Sequence, residues 1–266
     1  MPELIEDDLI HCKYSEKKGL PGTFRKGSGI CRGCDRLLCD LRIAPKGEAT
    51  SPRVRKANAK KFCERFRIRE LYHITSWRNV GSIIKHGLLS PKLVELKDIA
   101  YDSIADQEIR EMRGRKIVDS RVTLYVDDFV PLFFAMRTPM LYKIMCTERQ
   151  QSEIVYICID PMILGETGVR FSDGNVARHE TRMFYKLEDL EKLDWDTIRS
   201  SSWNRFDFAK KNEARRVKSA EVLVPYKVDR HRIHRIVAHN KDIGNALKLA
   251  FPRLRIPIEV NPDFYF

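Results

Sequence analysis

No stretch of the 266-residue chain approaches the run of about 20 apolar residues that a membrane-spanning helix requires. The N-terminus, MPELIEDDLIHCK, opens acidic and lacks an apolar segment of the signal-peptide kind. Nothing in it points to export, so the cytoplasm is the expected compartment. Internal repeats are lacking as well, which sets aside solenoids and propellers. Negative charge is in short supply: 37 Asp and Glu face 49 Lys and Arg, for a net charge of +12. The excess gathers in Lys13–Arg69, Arg110–Lys116 and Lys210–Lys218. Such clusters attract polyanions, because neutralised phosphates release their counterions. A single charged run is most often a solvated face. Three runs, close to Trp203, Phe206 and Phe208, point to nucleic acid.

Hydrophobic residues make up 43% of the chain, enough to bury a sizeable core, and the 32% that are charged alternate in sign along most of it, which argues against wholesale disorder. The length fits one large domain, or one domain with a small appendage. Residues 1–50 have few apolar periods, so this segment cannot build a core alone and needs a staple. Ala44–Arg53 reads as a turn-rich connection, and Val54 to Phe66 as a helix rich in Lys and Arg, so that 51–70 form a basic helical linker. The main domain spans 71–266. It opens with a strand at Glu70–Ile74 and a helix capped by Thr75 or Ser76 and ended by Gly87. Ile99–Arg115 is a second expected helix. Further strands are expected at Phe129–Phe134, Ile154–Ile159, Val222–Val224, Ile233–Ala238 and Ile256–Val260. Helices are expected at Leu187–Leu193, continuing through Trp195–Ser200, and at Asp242–Phe251. Strands interspersed with helices grouped early and late suggest an α+β domain.

Of the seven cysteines, Cys146 and Cys158 sit in apolar stretches and read as core thiols, and Cys63 stands alone. Cys12, Cys31, Cys34 and Cys39 are different. Their C-x18-C-x2-C-x4-C spacing, in a reducing compartment, indicates a metal rather than disulfides. Four thiolates at about 2.3 Å can hold zinc tetrahedrally, or they can hold an iron–sulfur cluster. His11 can replace Cys12. Zinc is placed slightly ahead, and the cysteine-rich module is expected to carry its own basic residues beside the main domain.

Two places in the main domain can carry chemistry. In Tyr72-His73-Ile74-Thr75 an imidazole stands at a strand end before a helix, at a rim where it can bond a ribose hydroxyl; alone, it reads as a structural histidine. In Ser219-Ala220-Glu221-Val222-Leu223-Val224 a carboxylate stands at the entry of an apolar strand. Placed in a cleft, it can stabilise the positive charge that develops as a glycosidic bond breaks, or act as a base. Alone, it reads as an edge glutamate paired with Lys218 or Arg216.

The order of several stretches is more specific than any of them. LYHITSWRNVGSIIKHGLLSP (71–91), DFVPLFFAMRTPMLY (128–142), FSDGNVARHETRMFY (171–185), LEKLDW (190–195) and KSAEVLV (218–224) together resemble the DarT family of DNA ADP-ribosyltransferase toxins, over about Leu71 to Phe266. The resemblance implies an ADP-ribosyltransferase fold, a split and bent β-sandwich with helices around an NAD cleft. It implies transfer of ADP-ribose from NAD to a base in single-stranded DNA. It also implies a toxin whose mark a macrodomain antitoxin removes, in a toxin–antitoxin or phage-defence setting. His73 and Thr75 would bind the ribose and nicotinamide side of NAD, and Met140 and Tyr142 would line the nicotinamide pocket. Glu221 would be the catalytic glutamate. The catalytic arginine falls in IREMRGR (109–115), with Arg113 the first choice and Arg110 the second. Such enzymes select their acceptor in the segment before the glutamate, here read as a basic loop with Trp203, Phe206, Lys210 and Lys211. Aromatic rings there can stack on unpaired bases, for about 1–3 kcal/mol each, or Trp203 and Phe206 can merely anchor the loop. The cysteine module is a departure from the family pattern.

Two alternatives keep the fold. RNA, which also offers unpaired bases, can be the acceptor. A degenerate, non-catalytic nucleic-acid-binding module is a different class, against which His73, the arginine-bearing helix and Glu221 argue jointly. The related RNA 2′-phosphotransferase is set aside, since its arginine-rich pattern and extra winged domain are missing.

Overall fold

A computed structural model describes residues 9–11, 23–25, 52–105, 107–114, 116–119, 124–146, 151–203 and 207–266. Near the N-terminus β1 (Leu9–His11) pairs antiparallel with β2 (Thr23–Arg25). Cys12, Cys31, Cys34 and Cys39 lie outside the described residues. The chain then runs through α1 (Pro52–Arg65), β3 (Leu71–Ser76), α2 (Val80–His86), β4 (Leu88–Leu89), α3 (Pro91–Leu96), α4 (Gln107–Gly114), β5 (Ile117–Asp119), β6 (Leu124–Tyr125) and β7 (Phe129–Phe133). Next come α5 (Pro139–Met145), β8 (Ile154–Ile159), β9 (Arg170–Ser172), β10 (Met183–Phe184), α6 (Trp195–Arg199) and α7 (Phe208–Lys218). The last elements are β11 (Glu221–Pro225), β12 (Lys227–Val228), β13 (Ile233–Ala238), α8 (Lys241–Ala250) and β14 (Ile258–Val260).

Eight strands form one sheet in the order β10-β9-β11-β7-β3-β8-β13-β14. Every neighbouring pair is antiparallel except β13 and β14. The central strand β8, IVYICI, is buried at every residue, and its alternate side chains feed two separate cores. Val155, Ile157 and Ile159 join Leu71, Leu132 and Val222 on one face. Ile154, Tyr156 and Cys158 join Ile74, Phe133, Leu141 and Phe264 on the other. A continuous apolar run is what a strand covered on both faces requires. The sheet is divided in the middle: β3 and β8 pair across six residues, whereas β3 meets β7 only at Tyr72↔Phe133. The expected α+β domain is present, and its eight strands form one sheet whose two halves are joined through this one pair.

Local chemistry explains where several expectations fail. α1 is no free linker: Ala59, Phe62 and Cys63, spaced by three and four, are buried, and Phe62 and Cys63 belong to the first core. The single helix expected over Ile99–Arg115 is broken up. Ser90 accepts from the Leu93 N–H and Pro91 fills the first turn, so α3 starts early and ends before Asp98, which has φ 50°. The backbone at Asp102 is then held by Asn79, which donates to its carbonyl at 2.9 Å and accepts from its N–H at 2.8 Å. The expected basic loop at Lys210–Lys218 is helix α7. Asp207 caps it by accepting from the Lys210 N–H, and Ala214 and Val217 supply its buried stripe. Gly87 ends α2 as expected, with φ 79°. A Cβ there would also lie 2.5 Å from the Val228 carbonyl oxygen, so glycine is required twice over.

Candidate active site

β11 starts at Glu221 because α7 stops just before it: Ala220 N–H still bonds the Val217 carbonyl, and Glu221 N–H turns to the Ser172 hydroxyl at 3.1 Å. The Glu221 side chain is buried, 1% exposed, and both of its oxygens are hydrogen-bonded. Arg113, from α4, donates Nη1 to Oε1 at 2.9 Å and Nη2 to Oε2 at 2.7 Å. The Val176 N–H donates to Oε1 at 3.0 Å. This is the bidentate fork that a guanidinium makes and an ammonium cannot. Burial pushes the Arg113 pKa down and the Glu221 carboxylate pushes it up; the carboxylate wins, so Arg113 stays charged.

The loop that delivers Val176 is itself braced. Ser172 Oγ donates to the Gly174 carbonyl at 2.6 Å. Asp173 accepts from Arg182 Nε at 2.7 Å and from Arg216 Nη1 at 2.8 Å. Those hydrogen bonds outweigh the burial of Asp173 and hold its carboxyl below the ordinary range. Lys116 donates to the carbonyls of Val176 and Arg178, each at 2.6 Å. Burial lowers the Lys116 pKa while the charge of Glu221 opposes the shift. Burial raises Asp127, with Arg113 and Arg110 opposing. Sequence reasoning singled out FSDGNVARHETRMFY as a matching stretch but assigned no role to Ser172, Asp173 or the Val176 N–H. A backbone donor leaves no signal in residue type; Ser172 and Asp173, just before Gly174, are the visible part.

His73 lies on β3, beside the Tyr72–Phe133–Glu221 row that crosses three strands. Its Nδ1 is 2.9 Å from the Pro131 carbonyl oxygen of β7, so the ring ties together the two halves of the sheet. Only a protonated Nδ1 can make that bond. Burial lowers the His73 pKa against the opposing effect of this bond, so the neutral ring leaves Nε2 as a bare acceptor for a hydroxyl. Thr75 is buried, and its oxygen accepts from Asn79 Nδ2 at 3.0 Å, so its hydroxyl hydrogen is what it can still offer.

Arg113, not Arg110, reaches Glu221; the Arg110 guanidinium lies 5.6 Å from the Tyr101 ring. Met140, on α5, packs against the second core. Tyr142 is edge-on to Trp203 at 5.5 Å and to Phe266 at 5.4 Å. That enclosure corrects the expectation for Trp203. It is 3% exposed, so no base can stack on it in this conformation, and the ring anchors the segment instead. Lys210, paired with Asp207 at 3.7 Å, and Lys211 stand on α7. Phe206 lies outside the described residues. Among the described residues no three His, Cys, Asp or Glu side chains are grouped to hold a metal, and no helix is long and apolar enough to cross a membrane.

Residues 72–266 match the family model described as ssDNA thymidine ADP-ribosyltransferase, DarT. A DNA ADP-ribosyl transferase from Thermus sp. strain 2.9 is 32% identical over 207 residues, 74% of this chain and 95% of that protein. A fusion of a DNA ADP-ribosyl transferase with a DNA ADP-ribosyl glycohydrolase, from Thermosipho africanus, is 28% identical over 200 residues. The matched segment is 75% of this chain and only half the length of that fusion. Among solved structures, the Thermus sp. 2.9 protein in complex with ADP-ribosylated ssDNA superposes with a TM-score of 0.65 at 28% identity, covering 75% of this chain and 97% of that one. The same protein with NAD+ gives a TM-score of 0.60 at 26% identity, over 75% and 98% of the two chains.

Proposed function

The chain belongs to the DarT family of ssDNA thymidine ADP-ribosyltransferases, and from that premise we propose that it transfers the ADP-ribosyl group of NAD+ to a base of single-stranded DNA, with Glu221 and Arg113 at the reacting centre. The observation that carries this reading is the buried, bidentate Arg113–Glu221 pair on the strand row beside His73. In the reaction the bond between the nicotinamide nitrogen and ribose C1′ breaks, and its electron pair leaves with neutral nicotinamide. The sugar becomes oxocarbenium-like, a base nitrogen donates its electron pair to C1′, and the proton on that nitrogen must go to a base. Thymidine, named in the family's description, has one ring nitrogen bearing a hydrogen, so its transfer needs such an acceptor. Glu221 can take that proton or stabilise the cationic sugar; Oε2 accepts one bond, from Arg113, and keeps a lone pair. Arg113 holds the carboxylate in place and sets its charge off against the leaving and attacking groups. Neutral His73 accepts a ribose hydroxyl at Nε2.

Incubation with labelled NAD+ and matched single-stranded DNA, duplex DNA and RNA tests the reading. Label on single-stranded DNA above duplex is expected, because extracting a stacked base costs a few kcal/mol. Preferential label on RNA would replace the acceptor, and no label at all would leave a binding module. The finer readings follow from the same premise. An ADP-ribosyl glycohydrolase, joined to the transferase in the Thermosipho relative, would act as a separate macrodomain partner that reverses the mark, making this chain the toxin of a pair. Cys12, Cys31, Cys34 and Cys39 would hold one metal, zinc before an iron–sulfur cluster. Elemental analysis decides: one zinc per chain is expected, iron with acid-labile sulfide would favour the cluster, and metal-free protein with four titratable thiols would end the proposal.

A further inference from the structure

A cavity of about 320 Å³ opens beside the split in the sheet. Tyr72 and Phe134, the sequence neighbours of His73 and Phe133, form part of its wall. Around it stand five cationic residues from four separate segments: Arg67, Arg69, Arg137, Arg199 and Lys218. Two carboxylates, Glu70 and Asp263, share the lining, and Glu70 is already held in a fork by Arg235, at 3.0 and 2.8 Å. Among the described residues, none of the five cations has an ion-pair partner. The hydrogen bonds they do make go to backbone carbonyls: Arg137 Nε to Tyr265 O at 2.6 Å, Arg199 Nη2 to Phe66 O, and Lys218 Nζ to Ile198 O and Ser200 O. These leave most donors of each guanidinium unused, and one of the three on Lys218.

The chain goes to some lengths to hold them there. Lys218 is 2% exposed, an unusual burial for an ammonium. Arg67 and Arg137 have φ of 50° and 52°, in the left-handed region that favours glycine or asparagine. Like charges also press on one another. Burial lowers Arg199 with Arg67 adding to the shift, and burial lowers Lys218 with Arg137 adding to it. A neutral ligand would relieve none of this repulsion, whereas an anion would relieve all of it.

We propose that this cavity is a phosphate-binding site of the enzyme, filled by a phosphoester group of one of its two substrates, either the DNA backbone or the pyrophosphate of NAD+. The proposal rests on the functional reading above, since it takes both substrates from there. The group would sit against Arg67, Arg69 and Arg199 at the rim and Lys218 at the floor. It would place the rest of that substrate along the Tyr72–Phe133–Glu221 row. No bond is made or broken in the cavity; it positions.

The test uses three rim variants, Arg67→Asn, Arg69→Gln and Arg199→Gln, alone and combined. The rim side chains are exposed, and asparagine tolerates the left-handed backbone at residue 67. A control variant, Arg253→Gln with Arg255→Gln, removes exposed positive charge elsewhere. Thermal melting confirms that each protein is folded. Affinities for a single-stranded oligonucleotide and for NAD+ are then measured separately, the first over a range of salt. The combined variant is expected to lose about tenfold in one of the two. If the DNA backbone is the occupant, the slope of log K against log salt falls by about 0.7 for each phosphate that is no longer neutralised. If the pyrophosphate is the occupant, NAD+ affinity falls and the salt slope holds. Folded variants with both affinities unchanged, or a loss no larger than that of the control, would overturn the proposal. A wild-type protein that transfers no ADP-ribose would instead contradict the functional reading, and the two failures are told apart by that one control reaction.

Discussion

Taking a carboxylate and a guanidinium out of water costs several kcal/mol per ion, which their attraction repays only when the geometry is good and the remaining lone pairs are satisfied. Arg113 and Glu221 meet the first condition through two parallel bonds, and a third from the Val176 N–H satisfies Oε1, so that only Oε2 keeps an open lone pair. Such a pair is worth keeping where its charges are used. Arg113→Lys keeps the charge and loses the fork, so transfer should fall by about 10²-fold. Arg110→Ala, which leaves the pair untouched, should transfer at the wild-type rate, and single-turnover labelling of an oligonucleotide compares the two. Lys218 makes a prediction of another kind. Burial, with Arg137 beside it, lowers its pKa to about 8 from the ordinary 10.5. Between those values the unfolded chain binds a proton that the folded chain has released, so this lysine makes stability rise with pH through that window. Chemical denaturation at closely spaced pH values should show the rise. The rise should vanish in Lys218→Met.

At the scale of elements, the strands were the most legible. Ile154–Ile159 is the strand its apolar run announces, because continuous burial leaves a continuous hydrophobic signature, and Ile233–Ala238 is the strand expected from its apolar second half. The helices were less so. α7 carries so many lysines and arginines that its buried apolar positions Ala214 and Val217 do not stand out. α3 and α4 share one polar stretch whose break depends on Asn79 reaching across to Asp102, an interaction that no local pattern encodes. Much the same holds for the site. Glu221, His73 and Arg113 could be named from ordered motifs, whereas the fork between Arg113 and Glu221 joins residues 108 apart and needed the fold. Trp203 shows the opposite error: beside basic residues an aromatic reads as a base platform, but Tyr142 and Phe266 enclose it. Trp203→Ala should therefore cost about 3–5 kcal/mol of stability, as for a core aromatic. Acceptor choice among oligonucleotides should be unchanged. A stable variant with altered acceptor choice would restore the stacking role.

For the whole molecule, the split sheet explains why these residues meet. β3 and β7 pair at a single position, and His73 on one side and Glu221 on the other line the place where the two halves part. The net charge of +12 gives the chain a field that draws in a polyanion. The family relationship and the geometry converge on one reaction, and one measurement addresses it most directly. A single-stranded oligonucleotide containing thymidine is reacted with NAD+ by the wild type and by Glu221→Gln, and the products are weighed by mass spectrometry while NAD+ binding is measured on the same preparations. The wild type should add ADP-ribose to the strand. Glu221→Gln should transfer about 10²–10³-fold more slowly while binding NAD+ as the wild type does. Transfer at the wild-type rate by Glu221→Gln would contradict the account.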